Sequence, residues 1–409
     1  MNFSLSFLCV LVTLSGFGQS TQCLNGRFGE IALFDSSQVV SHLDIPYGEA
    51  THFFSGQPIP LFLDVWEPDP SIDGLTSRPV IVLTHGGSFL AGNRSAMHYQ
   101  CMEYARRGYV AVTLSYRLGW NCDPNVGIFL CGICGPQQNN LRTAIYNAAQ
   151  DHRAAMRFIA EHAAEYGIDP EWIFVGGESA GSITTLQSVY WDQEEANSFA
   201  PSAQGISGDL NSSGNDLINS YSVKGIVNNC GALFNLEHLD IEEQLPMISF
   251  HDENDCVVPY NGGYVIGCLN CTSFPYARGS LALHNQLSAG GQCSELNTVL
   301  ASLGHCTWPT LNIVRRSSCF MKRVMCEVCT SAANVSTSSY SPCMALGVAS
   351  EISGCTYSEA LNFEPTATSD DGSCEFPNAT CPADLNGDGV ITVTDLLQFI
   401  ALYGGLCPE

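Results

Sequence analysis

The chain has 409 residues, 45% of them hydrophobic, and 40 acidic against 15 basic side chains give it a net charge of -25. This length suits one large domain with appendages, and the apolar share is ample for a sizeable core. The strongly acidic balance argues against nucleic acid and anionic membrane surfaces as partners.

Residues 1–20, "MNFSLSFLCVLVTLSGFGQS", are an apolar run ending in the small residues Ser15, Gly16 and Gly18, the pattern of a secretory signal peptide. No Lys or Arg precedes the run, and a short membrane anchor is the alternative, although the run is shorter than the ~20 residues a span requires. No later segment is long and apolar enough to span. Twenty cysteines support export to an oxidising space, so the expected location is secreted or cell-surface associated, in a bacterium. Loss of Cys9 with the signal would leave an odd number, hence at least one free or intermolecular thiol. Cys-x-x-Cys pairs occur at Cys131/Cys134, Cys268/Cys271 and Cys326/Cys329. Zinc is one reading of such pairs, but their wide separation among many other cysteines favours disulfides.

Residues 21–330 are read as a single α/β domain. Short β-prone runs at 60–66, 79–85, 109–116, 172–177, 223–229 and 245–251 alternate with helical stretches, which predicts a mostly parallel sheet covered by helices. Between them, 141–167 places Ile145, Ala148, Ala149, Ala155, Met156, Ile159 and Ala160 at helical spacing, a long amphipathic helix. Its Asp151 and Arg153 read as solvated or structural. Residues 192–222, rich in Ser, Asn, Gly and Asp, read as an irregular surface insertion.

Ser179 lies in Gly177-Glu178-Ser179-Ala180-Gly181, a G-x-S-x-G pattern that is weak alone. An apolar strand before it and a helix-compatible stretch after it supply the setting that a nucleophile elbow needs. "LTHGGSFLAG", 83–92, follows another apolar strand, and its glycines allow backbone N–H groups to face a developing oxyanion. Gly87 and Ser88 are the candidates, joined by Ala180, and His85 reads as serving the loop. An acid and a histidine must follow: "FHDENDCVVPY" offers Asp252, Glu253 and Asp255, and "SLGHCTW" offers His305.

These motifs, "HGGSFLAG", "VTLSYRLG", "QDHRAAMRFI" and "GGESAGS", make residues 60–328 resemble the carboxylesterases of the α/β-hydrolase fold. The resemblance implies that fold, with Ser179 as nucleophile, Asp255 as triad acid and His305 as base. Asp252 stands where the family has Gly in its "H-G-x-x-D-x-x-V-P" segment and is the reserve for the acid. The implied activity is that of a serine carboxylesterase working through an acyl-enzyme without a catalytic cofactor. A non-catalytic binding protein on the same fold and a serine peptidase or polyesterase are the alternatives. Acylated polysaccharide is a candidate natural substrate. Phe89, Tyr190 and Trp191 read equally as acyl pocket or core. The other eight histidines have no comparable context. A disulfide joining Cys256 to Cys306 would tie the acid loop to the histidine loop; the alternative is that each pairs elsewhere, for example Cys306 with Cys293.

Beyond the domain, 331–350 is a Ser/Thr-rich linker, and 351–378 holds a segment bracketed by Cys355 and Cys374 that resembles a short repeat of secreted bacterial proteins. One disulfide closing it is the simple reading. In 379–409, Asp384, Asn386, Asp388, Val390, Thr392 and Asp395 fall at positions 1, 3, 5, 7, 9 and 12 of an EF-hand loop, with Gly389 at 6, which predicts a structural calcium site. This segment resembles one repeat of a dockerin, and a surface or protein partner for the tail is expected, although dockerins carry two repeats.

Overall fold

The structure is a computed structural model. It describes residues 22–24, 26–53, 55–120, 138–239, 242–269, 272 and 274–336, with short stretches at 353–355, 360–363, 369–370 and 373–375. The chain forms two compact units, Met1–Val348 and Ala349–Glu409.

In chain order, the larger unit has β1 (Val39–Thr51), β2 (Pro58–Pro68), β3 (Arg78–Thr84), α1 (His98–Ala105), β4 (Val110–Leu114), α2 (Gln138–Glu161), β5 (Ile168–Glu178), α3 (Ala180–Tyr190), α4 (Gln193–Phe199) and α5 (Ala203–Ser207). There follow β6 (Val223–Asn229), β7 (Ala232–Leu233), β8 (Met247–Asp252), β9 (Gly262–Tyr264), β10 (Tyr276–Gly279), α6 (Ser280–Ala289), β11 (Ser294–Val299), α7 (Thr310–Met325) and β12 (Ala332–Ser336). Nine strands form one sheet in the order β1-β2-β4-β3-β5-β6-β8-β11-β12. From β4 to β12 every neighbouring pair is parallel, while β1 and β2 add an antiparallel edge. This is the mostly parallel, helix-covered sheet expected from the alternating runs, in the α/β-hydrolase architecture that the resemblance implied. β1, β11 and β12 were not among those runs, because half-polar sequences such as "SELNTV" carry no apolar signal of their own.

The strand period explains the two layers. Val80 and Val82 of β3 pack with Ala154, Ala155, Met156 and Ile159 of α2, whereas Ile81 and Leu83 pack with Tyr104 of α1 and Phe320 of α7. Successive side chains leave a strand on opposite faces, so a strand covered on both sides must be apolar throughout, as the fully buried β3 is. Asp151 of α2 is buried and pairs with Arg117 at 2.7 Å, and Arg153 donates from Nε to the Ser188 carbonyl at 2.8 Å. Both are structural and neither is solvated. The 192–222 stretch is more ordered than a surface insertion: it forms α4 and α5 and buries Ala196, Phe199, Ala203 and Leu210 in an apolar cluster with α2 and α3.

Disulfides Cys23–Cys326, Cys230–Cys306, Cys256–Cys268 and Cys293–Cys329 lie in the larger unit, so neither Cys326 nor Cys329 serves a zinc pair. Cys101 is a buried free thiol. In the smaller unit Cys355 pairs with Cys374, closing the segment as read from sequence. The signal-peptide residues, Cys131/Cys134, Cys271 and the whole calcium loop from Asp384 to Asp395 lie outside the described residues.

Candidate active site

The strand order β3-β5-β6-β8-β11 brings to one edge of the sheet the loops that follow each carboxyl end. They carry the Gly-rich loop, Ser179, Cys230, Asp255 and His305 in turn. Open parallel sheets present their chemistry at this edge because every loop leaving a carboxyl end opens onto the same side.

Ser179 joins β5 directly to α3 with φ 53° and ψ -119°, a left-handed backbone that a serine adopts only under constraint. The constraint is visible. Its N–H donates to the Asn229 carbonyl at 3.0 Å, and its own carbonyl accepts from Ile183 at 2.9 Å. The flanking glycines are there for space: a β-carbon on Gly181 would stand 2.0 Å from the Thr84 carbonyl oxygen, and one on Gly177 would stand 2.5 Å from Gly181. The Ser179 turn can therefore lie against the end of β3.

The Gly-rich loop packs on the same turn. A β-carbon on Gly86 would approach that of Ser179 to 3.3 Å. Gly87 has φ 121° and no room for a side chain, since a β-carbon would stand 2.0 Å from the Ala91 carbonyl oxygen. The Gly87 carbonyl accepts from Leu90 and Ala91, both at 3.0 Å, which turns the Ser88 N–H to the other side of its planar peptide. The Ser88 carbonyl is held by Trp120 Nε1 at 2.9 Å. Among the described residues no protein acceptor takes the N–H of Gly87 or Ser88. Ala180 opens α3, where first-turn N–H groups have no intrahelical acceptor. His85 belongs to the scaffold: it stacks on Tyr116 at 4.5 Å and burial pushes its imidazole pKa down.

His305 Nε2 lies 2.8 Å from Ser179 Oγ, and its Nδ1 lies 2.7 Å from Asp255 Oδ2. A carboxylate accepts only, so Nδ1 carries the proton and Nε2 is free to accept from the serine hydroxyl. The other Asp255 oxygen accepts the N–H of Val257 at 2.8 Å and of Val258 at 3.1 Å. Burial pushes the Asp255 carboxyl up, but bonds from His251 and His305 and their positive potential outweigh it and hold it at about 2. Asp252 does not reach the ring: it binds the backbone N–H and the hydroxyl of Thr307. Glu178, beside Ser179, is pushed up by burial, which the His305 field and the Asn229 amide oppose.

A recess of about 400 Å³, including its open mouth, begins at Ser179. Its walls include Phe89, Trp120, Ile183, Phe234, Val265 and Ile266, and among the described residues no charged side chain lines it. Of the aromatic candidates, Phe89 lines the recess, whereas Tyr190 and Trp191 pack in the core. Three features escaped the sequence. His251 is buried, with Nε2 at 3.0 Å from the Val258 carbonyl and 3.3 Å from Asp255 Oδ2, and Nδ1 at 2.7 Å from Ser280 Oγ. Val265 and Ile266 sit in a loop closed by Cys256–Cys268, and the disulfide of Cys306 runs to Cys230. Cys256 and Cys306 thus each pair elsewhere, the alternative that the sequence left open, although Cys293, the example given for Cys306, pairs with Cys329. The adjacent His305-Cys306 was legible; its partner, 76 residues away, was not.

The carboxylesterase family matches residues 60–199, from β2 through α4, which hold the Gly-rich loop and Ser179. A neuroligin-like protein of Caenorhabditis elegans is 35% identical over 133 residues, 32% of the chain and 16% of that protein. The phenmedipham hydrolase of Pseudarthrobacter oxydans is 36% identical over 125 residues, 30% of the chain and 22% of the enzyme. The para-nitrobenzyl esterase of Bacillus subtilis is 34% identical over 125 residues, 30% of the chain and 23% of the enzyme. The chain therefore spans less than a quarter of the length of these curated relatives. Among solved structures, the propionate-bound esterase 2 of the planctomycete Thermogutta terrifontis is 20% identical, with 64% of the chain and 85% of that protein covered and a TM-score of 0.39.

Proposed function

We propose that the chain is an exported serine carboxylesterase acting on neutral, apolar acyl groups. The observation that carries this reading is the continuous path from Ser179 through His305 to Asp255, at 2.8 and 2.7 Å, beside a recess whose described walls are uncharged. The carboxylesterase match over residues 60–199 supports it on the nucleophile side.

In this reading His305 Nε2 takes the Ser179 proton as Oγ attacks the ester carbonyl carbon. Asp255 keeps Nδ1 protonated and offsets the charge of the imidazolium that forms. The tetrahedral oxyanion is met by the N–H groups of Gly87, Ser88 and Ala180, dipoles fixed before the reaction by the bonds around them. Proton return from Nε2 to the leaving alkoxide releases the alcohol, and water then attacks the acyl-enzyme by the same route. Disulfides within the larger unit suit an oxidising compartment, and among the described residues no helix is long and apolar enough to cross a membrane. Acylated polysaccharide fits an exported esterase whose acyl recess opens at the sheet edge.

The test is hydrolysis of p-nitrophenyl acetate, butyrate and octanoate by the mature protein beside Ser179→Ala. Loss of hydrolysis in the variant supports the reading, and activity that survives it removes Ser179 as nucleophile. The spacing from Asp384 to Asp395 supports a separate calcium site. Calorimetric titration with calcium should give a binding heat that Asp388→Ala abolishes.

A further inference from the structure

The Cys230–Cys306 disulfide closes a ring around the reacting atoms. Cys306 follows His305, and Cys230 follows Asn229, whose carbonyl accepts the Ser179 N–H at 3.0 Å. The path runs from the Ser179 backbone to Asn229, along the chain to Cys230, across the disulfide to Cys306, and back through His305 Nε2 to Ser179 Oγ at 2.8 Å. No other covalent link among the described residues joins the histidine loop to a loop beside the nucleophile.

Residues 300–309 between β11 and α7 carry His305, and their remaining anchors lie on the acid side. Thr307 is bound by Asp252, Ala301 N–H by Glu253 at 2.8 Å, and Asn254 N–H donates to the Ser302 carbonyl at 3.0 Å. Trp308 packs on Phe250 at 5.5 Å. Leu303, by contrast, is 81% exposed, so the outer side of the loop rests on solvent. Cys230 and Cys306 both hold left-handed backbones, φ 48° and 55°. Non-glycine residues persist there only where the surroundings over-determine them. The Cys306 sulfur also lies 3.4 Å from His305 Nε2, crowding one side of the ring.

We propose that Cys230–Cys306 is a positioning pair for the proposed ester hydrolysis: it fixes the distance of His305 from Ser179. The claim rests on the esterase reading. A general base works only within about 2.6–3.2 Å of its proton donor, and a displacement of about 1 Å at a reacting centre can lower a rate by about 100-fold.

The experiment compares wild type, Cys230→Ala/Cys306→Ala and, as a remote control, Cys23→Ala/Cys326→Ala, each well below its own melting temperature. The positioning role gives a kcat about 10- to 100-fold lower in the first variant, with KM within threefold, and both unchanged in the control. A second readout does not depend on turnover: the downfield proton resonance of His305 Nδ1–H, identified by its loss in Asp255→Ala. It should broaden or vanish without the bridge and persist in the control. A bridge-free variant with kcat within twofold of wild type and an unaltered resonance overturns the proposal. Wild type without Ser179-dependent hydrolysis would sink the esterase reading instead, and the resonance would still report whether the bridge holds the ring.

Discussion

Asp252 holds Thr307, accepting its backbone N–H at 2.9 Å on one oxygen and its hydroxyl on the other. The grip keeps the loop beyond His305 in place and leaves the ring to Asp255. Two carboxylates three residues apart therefore have separable tasks. Asp255→Asn should lower kcat by about 10²- to 10⁴-fold, since an amide can present N–H where Nδ1–H needs an acceptor. Asp252→Asn should act mainly on stability, by about 1–3 kcal/mol for a buried bond left unmade. Steady-state kinetics and urea unfolding of both variants check this, and a larger kcat loss in Asp252→Asn would reverse the assignment.

Gly87 has the least tolerance for a side chain on the proposed oxyanion loop. Its φ of 121° and the 2.0 Å approach of Ala91 oxygen mean that even alanine must move the backbone. Gly87→Ala should reduce kcat by roughly 10²- to 10³-fold, the scale of one lost oxyanion donor. Retention of half the wild-type kcat would show that the loop N–H groups do not meet the oxyanion.

Ile183 sits one helical turn after Ser179, 4% exposed and lining the recess. Ile183→Ala should raise the octanoate-to-acetate ratio of kcat/KM by about 10-fold or more, because each methylene accommodated is worth about 1–3 kcal/mol. A ratio measured on one preparation cancels any loss of folded protein. An unchanged ratio would place the acyl chain elsewhere.

Buried His152 sets a pH dependence of stability. Burial pushes its imidazole down to about 3, and the Arg153 charge acts in the same direction. In the unfolded chain it titrates near ~6.5, so between these values only the unfolded state takes up the proton. Its contribution is complete above ~6.5 and declines as pH falls towards 3, a change on the order of a few kcal/mol. Asp255, held at about 2, contributes above the unfolded carboxylate value of ~3.9 and loses that contribution only below it, so of these two groups the change between pH 7 and 4.5 belongs to His152. Urea unfolding at pH 7, 5.5 and 4.5 should show wild type losing more stability on acidification than His152→Gln. Parallel slopes would contradict this.

The sequence by itself determined the fold class and the sharp strand-to-helix turn at Ser179, because both are written in local patterns. Apolar runs of strand length spell out a sheet buried on both faces, and glycines at 177 and 181 mark a turn where only a hydrogen atom fits. Ser179, Asp255 and His305 could be named because each follows its own strand, or a Gly-containing turn, with a distinctive neighbour. Tertiary structure alone decided what depends on distance between remote segments. The choice of Asp255 over Asp252 turns on which carboxylate faces the ring, and the two lie only three residues apart in one loop. The cysteine pairings obey the same logic: Cys306 reaches Cys230 because β6 lies beside β5, an adjacency set by strand order and invisible to residue spacing. His251 looked like any other histidine until the loop of Asp255 folded over it and placed its ring 3.3 Å from the carboxylate.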